Sequence, residues 1–319
     1  MVVGFPQLIG IMAMVVLGIF AAGPIQADST SPRLAAYYDL RLAICGETAW
    51  QWQGDDTPKA VFRGAVQVAV GRNSAYAITA SGALMTWDGD APDEVHKIVE
   101  NARWVAAGRS AVAVGLRNGR LHWIKRPTRW FGEGALQTPE IVAETSPGAS
   151  VGDSADYYLT DDGTLHVRGL AHRGQYGDGR LTESITFIPV ARDVKAVRAH
   201  TGHAILLRRD GAVLGTGGNI YGPVGRHGIG DKAVRWSLLF EGANGIATGS
   251  SHTLALRDDG TLWHWGRNIG LEPSRVLDGV QAAAADSSGS FALREDGTIW
   301  QWDRREKPQL HFRCDPVDR

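Results

Sequence analysis

The sequence predicts an all-β fold: a seven-bladed β-propeller of four-stranded antiparallel blades. Three observations predict it. The phrase Ala255-Leu256-Arg257-Asp258-Asp259-Gly260-Thr261-Leu262-Trp263-His264-Trp265 returns in altered form at 292–302. Weaker copies surround Gly82, Gly119, Gly163 and Gly211, and an eroded one ends at Trp50 and Trp52. The turn glycines at 82, 119, 163, 211, 260 and 297 stand 37, 44, 48, 49 and 37 residues apart. Glu47 takes the same place 35 residues before Gly82, which makes seven copies. A unit of that size cannot bury its own apolar face, so the copies must stack on one another.

Each copy supplies its strands in a fixed order. The first is an apolar run ending in glycine or another small residue, as at 66–71, 104–108 and 245–249. The second runs apolar toward the turn, as in Ala204-Ile205-Leu206-Leu207 and Thr253-Leu254-Ala255-Leu256. The third alternates strictly after the glycine, as in Thr261-Leu262-Trp263-His264-Trp265. Period-two patterning on both sides of a glycine signals a β-hairpin, because glycine takes the positive φ such turns need. Asp162, Asp210, Asp258, Asp259 and Asp296 lie at these turns, where a short carboxylate bonds nearby backbone amides. The fourth strand fits the proline-flanked stretches 139–142 and 273–276. Four strands in a copy of 35–49 residues is the arithmetic of a propeller blade.

The longer copies carry a second motif. It reads Gly174-Gln175-Tyr176-Gly177-Asp178-Gly179 in one, and Asn219, Gly222, Gly225 and Gly228 mark it in the next. Trp265-Gly266-Arg267-Asn268-Ile269-Gly270 is a third version and 130–134 a partial one. With Gly249-Ser250-Ser251-His252-Thr253-Leu254-Ala255-Leu256, these stretches resemble the RCC1 (regulator of chromosome condensation) repeat over about residues 33–312. The resemblance implies an RCC1-like seven-bladed propeller, in agreement with the count of copies. The copies at Gly82 and Gly297 are short and lack the glycine-rich loop. The best-known member of that family exchanges nucleotide on a nuclear GTPase and binds chromatin. No stretch here matches its exchange loop, so that activity is not carried over.

The first 27 residues hold no charged side chain, and 8–22 is almost wholly apolar. Ile25-Gln26-Ala27 ahead of Asp28 has the small residue of a cleavage site. Residues 1–27 therefore read as a secretory signal peptide before a single domain over 28–319, and the protein is expected to be exported, periplasmic or secreted. An uncleaved N-terminal membrane anchor is the alternative, since no Lys or Arg stands near the start. Lys and Arg number 33 against 34 Asp and Glu, which gives a formal charge of −1. Nucleic-acid binding calls for a basic excess or stripe, and the one basic cluster is Lys125, Arg126 and Arg129. In a ring the first and last blades are neighbours, so Cys45 and Cys314 are expected to pair and clasp the ring shut. Two separate thiols are the alternative.

A search for chemistry finds scaffold instead. His200 and His203 have a metal-like spacing, but His203 shares a repeat slot with His252 and reads as framework. No Cys, His and carboxylate set has zinc spacing, so neither metal nor cofactor is expected. The Asp-Gly turns resemble the Asp boxes of sialidases imperfectly, and an arginine triad with a Tyr–Glu pair is not legible. Neither a nucleophile elbow nor a phosphate-binding loop occurs. Trp50, Trp52, Trp87, Trp123, Trp263, Trp265, Trp300 and Trp302 fall on post-turn strands and read as packing between blades.

Two functions of different class follow. The first is an exported, non-enzymatic interaction scaffold, monomeric, gripping another protein or a surface glycan through its long loops at 125–139, 171–188 and 219–236. Trp130, Tyr176, Tyr221, His227 and Trp236 are its candidate partner-binding residues. The second is a hydrolase or lyase using the central channel. Carboxylates, His and Arg converging at the channel mouth would favour it, and a plugged channel would count against it.

Overall fold

Seven four-stranded antiparallel sheets follow one another along the chain, and in each the strands pair in chain order from first to fourth. The computed structural model describes residues 33–125, 139–225, 231–303 and 306–314. Blades 1 to 7 occupy 34–63, 65–99, 102–143, 148–191, 194–240, 243–277 and 280–313. The first strands touch one another around a closed ring, that of blade 7 (Val280–Ala285) against that of blade 1 (Leu34–Tyr37). They therefore wall a central channel. Arg198, on the first strand of blade 5 (Val194–Ala199), is exposed yet enclosed enough for desolvation to pull its guanidinium below its usual value. That combination fits a side chain standing in a water-filled channel.

The hairpins form as their pattern dictates. In blade 6 Ala255 pairs with Trp263 and Leu254 with His264 across the turn. The turn glycine is left-handed throughout, with φ of +92° at Gly82 and +76° at Gly260. In blade 1 the role passes from the expected position 47 to Gly46, at φ +61°. The turn carboxylates accept from the amide two residues on: Asp162 from Thr164 at 2.9 Å, Asp259 from Thr261 at 2.9 Å and Asp296 from Thr298 at 3.0 Å.

The core is divided among seven joints, one between each pair of adjacent blades. Leu254, Leu256 and Leu262 of blade 6, for example, meet Val280, Ala292 and Trp302 of blade 7. Trp52, Trp87, Trp265 and Trp302 are buried in such joints. Trp123 is buried too, but pairs one register position away, under Phe187 and Arg168. The glycine-rich loops clamp the joints from outside. Thr216 of blade 5 donates to the Gly174 carbonyl of the blade 4 loop at 2.7 Å. Trp265 Nε1 and Thr253 Oγ1 of blade 6 both donate to the Pro223 carbonyl of the blade 5 loop at 2.9 Å. His203 and His252 are framework: each places Nε2 against a hydroxyl of the next blade, Thr248 at 2.7 Å and Ser290 at 2.9 Å.

Among the described residues every blade is made from one continuous stretch, and no strand crosses from blade 7 to blade 1. Side chains close that seam instead. Cys45 and Cys314 form a disulfide with Cα atoms 5.1 Å apart. Arg41 pairs with Asp286 at 3.1 Å, both fully buried, donates to Ser288 Oγ at 2.7 Å and lies 4.4 Å from the Phe291 ring centre. Trp52 stands edge-on to Phe291 and Phe312.

Candidate functional site

Antiparallel pairing in chain order puts connections alternately at the two ends of a blade. The Asp-Gly turns all fall on one face of the ring. The turns between first and second strands, and the long loops between third and fourth, share the opposite face. That loop face surrounds one mouth of the channel.

The turn after each first strand brings one residue to the mouth from every blade. In four blades it is glycine: Gly71, Gly108, Gly152 and Gly249. A Cβ at Gly108 would collide with the Val151 carbonyl of the next blade, and one at Gly249 with the Asp286 carbonyl. In the other three blades the position holds Tyr37, His200 and Asp286. The next position adds Tyr38, Arg72, Arg109 and Asp153.

These departures meet across the channel. The hydroxyl of Tyr37 in blade 1 donates to Asp153 Oδ1 of blade 4, and that of Tyr38 reaches Oδ2 at 3.4 Å. The Tyr37 ring stacks on His200 of blade 5, with centroids 5.5 Å apart. Burial, with the Asp153 charge beside it, holds the Tyr37 hydroxyl far above the usual phenol range, and Arg109 acts against that. Burial likewise pulls His200 down, opposed by Asp153 and Asp286. His200 Nδ1 is held by Thr201 at 2.8 Å, while its buried Nε2 has no partner among the described residues. Carboxylate, imidazole and arginine thus converge at the mouth, but tyrosine spans it. Among the described residues no group of three or more His, Cys, Asp or Glu is placed to hold a metal ion.

A second feature lies on the same face over blades 5 and 6. Ile220 and Tyr221 are 60% and 47% exposed, and Leu271 is 45% exposed. Gly222 sits against Leu271, and Arg267 lies 4.3 Å over the Tyr221 ring. This is an exposed aromatic and aliphatic patch braced by a guanidinium.

Of the partner-binding residues expected from sequence, the structure brings Tyr221 to the surface. Tyr176 is a correction. It is fully buried, its hydroxyl donates to the Gly169 carbonyl at 2.6 Å and accepts from the Ser184 amide at 2.8 Å, so its ring pins the glycine-rich loop to its own blade. Trp236 is half-buried against Gly177, with its backbone amide on the Gly177 carbonyl at 3.0 Å. Trp130 and His227 lie outside the described residues. Sequence reasoning missed Tyr37, Tyr38, Arg109 and Asp153. For Tyr37 and its neighbour Tyr38 the available signal was the glycine kept at the end of the first strand in four copies and replaced in three; Arg109 and Asp153 follow retained glycines and carry no such signal.

A third cluster joins blades 3 and 4. Arg168 contacts both oxygens of Glu140 at 3.1 Å, approaches Asp156 at 3.7 Å and lies 4.3 Å over Phe187. Burial pushes the Asp156 carboxyl up to about 7 against the pull of Arg168.

The family model described as "Regulator of chromosome condensation (RCC1) repeat" matches residues 245–269. The secretion-regulating guanine nucleotide exchange factor of Bos taurus is 32% identical over 127 residues, which is 37% of this chain and 27% of that protein. The E3 ubiquitin-protein ligase HERC2 of Homo sapiens is 26% identical over 256 residues, 74% of this chain and 5% of that one. The chain thus spans about a quarter of the first relative's length and a twentieth of the second's. Among solved structures, Prp20p of Saccharomyces cerevisiae, studied for its binding to Gsp1p and histones, superposes with a TM-score of 0.67 at 17% identity, covering 81% of each chain. That likeness is one of fold.

Proposed function

The chain is an RCC1-like β-propeller, and from that premise we propose that it is an exported, non-catalytic module whose loop face grips a protein partner. The observation that carries this reading is the Ile220, Tyr221 and Leu271 patch with Arg267 over the aromatic ring. Exposed aromatic and arginine groups fixed on a rigid frame lose little side-chain entropy on binding and are the usual anchors of interfaces. The frame is rigid because Asn219 is tied at both ends of its side chain, to Gly225 O at 2.8 Å and to the Val224 amide at 3.1 Å. The tyrosines spanning the channel mouth count against a substrate passing down the channel. Export is supported by the uncharged segment 1–27 and by the Cys45–Cys314 bond, which suits an oxidising compartment.

The test begins with crosslinking capture on the intact chain in the envelope of the exporting cell. The affinity of the recovered partner is then measured for the parent and for Tyr221→Ala. The expected result is a loss of about tenfold or more with the melting temperature unchanged. Equal affinity for parent and variant would remove the patch from the interface. Export is tested separately by fusing 1–27 to a reporter enzyme that needs disulfides, which stays inactive if the segment does not direct export.

A further inference from the structure

On the side of the ring away from Tyr221, a cavity of about 420 Å³ opens on the loop face over blades 1 to 3. That volume lies within the range of small-ligand sites, about 300–1,000 Å³. Tyr37 and Tyr38 line it, held by Asp153 across the channel. Arg72 and Arg109 enter from the equivalent turns of blades 2 and 3. Neither guanidinium forms an ion pair or a hydrogen bond with another described residue. Both line the same cavity as Tyr38 and both oppose the rise that burial and Asp153 cause in its hydroxyl. Asp39 and Asp90 complete the charge, and Gln53 Nε2 holds one oxygen of Asp90 at 3.1 Å.

We propose that this cavity binds an acidic sugar unit, a pyranose carrying a single carboxylate. Arg72 and Arg109 take the carboxylate, the ring lies along Tyr38, and Asp39 and Asp90 accept the hydroxyls. Two forked donors suit a carboxylate bidentately. With Asp153 behind the two tyrosines, Asp39 and Asp90 bring the carboxylates around the two arginines to three, so a polyanion is repelled where a lone carboxylate among hydroxyls is accepted. Among the described lining residues Leu40 is the one aliphatic side chain, a poor match for the apolar side chains of a peptide. Tyr38 is 38% exposed and offers a face to a sugar ring. This site is independent of the protein-binding patch over blades 5 and 6.

The experiment titrates the intact chain with a glucuronate-terminated disaccharide and its glucose-terminated counterpart, read by ligand-observed NMR and calorimetry. The acidic sugar should bind about tenfold or more tightly than the neutral one. Arg72→Gln with Arg109→Gln should abolish the difference, and Tyr221→Ala should preserve it. Should the double variant fail to fold, Arg109→Lys serves, with weakened uronate binding expected because an ammonium cannot reproduce the fork. Equal binding of the two sugars, or binding of neither, overturns the proposal. Displacement of the uronate by hexaglutamate at equal concentration also overturns it, by assigning the cavity to acidic peptides.

Discussion

A half-buried aspartate and a buried histidine pull the pH dependence of stability in opposite directions. Asp156 titrates at about 7 in the fold against an ordinary 3.8 because burial disfavours its charge. Its contribution is therefore complete below pH 4 and is lost as the pH rises through 7. Asp156→Asn should leave stability unchanged at pH 4 and raise it at pH 8 by on the order of 1–2 kcal/mol. Arg168 keeps Glu140 as its partner in that variant. His203 runs the other way. Burial drives it down to about 3 from 6.5, so the stability of its neutral ring is present above pH 6.5 and lost as the pH falls toward 3. His203→Gln should cost about 1 kcal/mol at neutral pH, for the bond to Thr248, and flatten the acid limb. Urea unfolding of both variants at pH 4, 6 and 8 separates the two limbs, which largely hide each other in the parent.

At the scale of the blade, the glycine-rich loops are joints. Tyr176 fills the blade 4 loop from inside, and Thr216 ties that loop to blade 5 through Gly174 O and, at 3.0 Å, to Ala233 O. Tyr176→Ala should therefore lower stability by about 3–4 kcal/mol, and Thr216→Val by about 1–2 kcal/mol, in chemical denaturation. A Tyr176→Ala protein that melts like the parent would return that residue to the surface. The repeats were legible because identical physics recurs in each: the glycine at positive φ, the aspartate on the amide two residues on, the alternation across the hairpin. Tyr176 was misplaced because a glycine-rich loop looks exposed until the next blade is set against it. Gly46 was overlooked because erosion moved the turn by one residue. The channel mouth was illegible for a deeper reason. Tyr37 and Asp153 are 116 residues apart and meet only because the ring places blade 1 opposite blade 4. A repeat shows what every blade shares, and such a contact rests on what single blades do differently.

Over the whole molecule, six of the seven joints are also joined by the chain itself, since the fourth strand of one blade leads directly into the first of the next. The seventh joint has no such continuity, and the disulfide substitutes for it. Cys45 and Cys314 are 269 residues apart, so the loop they close constrains the unfolded chain by about 5 kcal/mol in the chain-entropy account. Cys45→Ser with Cys314→Ser should therefore cost about 3–5 kcal/mol, a large share of the stability of a domain. The remaining clasp is the buried Arg41–Asp286 pair, where Arg41→Leu would strand the Asp286 carboxylate at a cost of about 3–5 kcal/mol. Position around the ring matters as much as magnitude. With the covalent clasp gone, the easiest opening parts blade 7 from blade 1 while every other joint still has the chain to hold it. Hydrogen exchange of the double serine variant should then quicken first in Leu40–Cys45 and Gly289–Arg294, the second strands facing the seam, with blades 3 to 5 protected as in the parent. Uniform acceleration around the ring would mean that the propeller opens as one unit and that the seam is no weaker than the other joints.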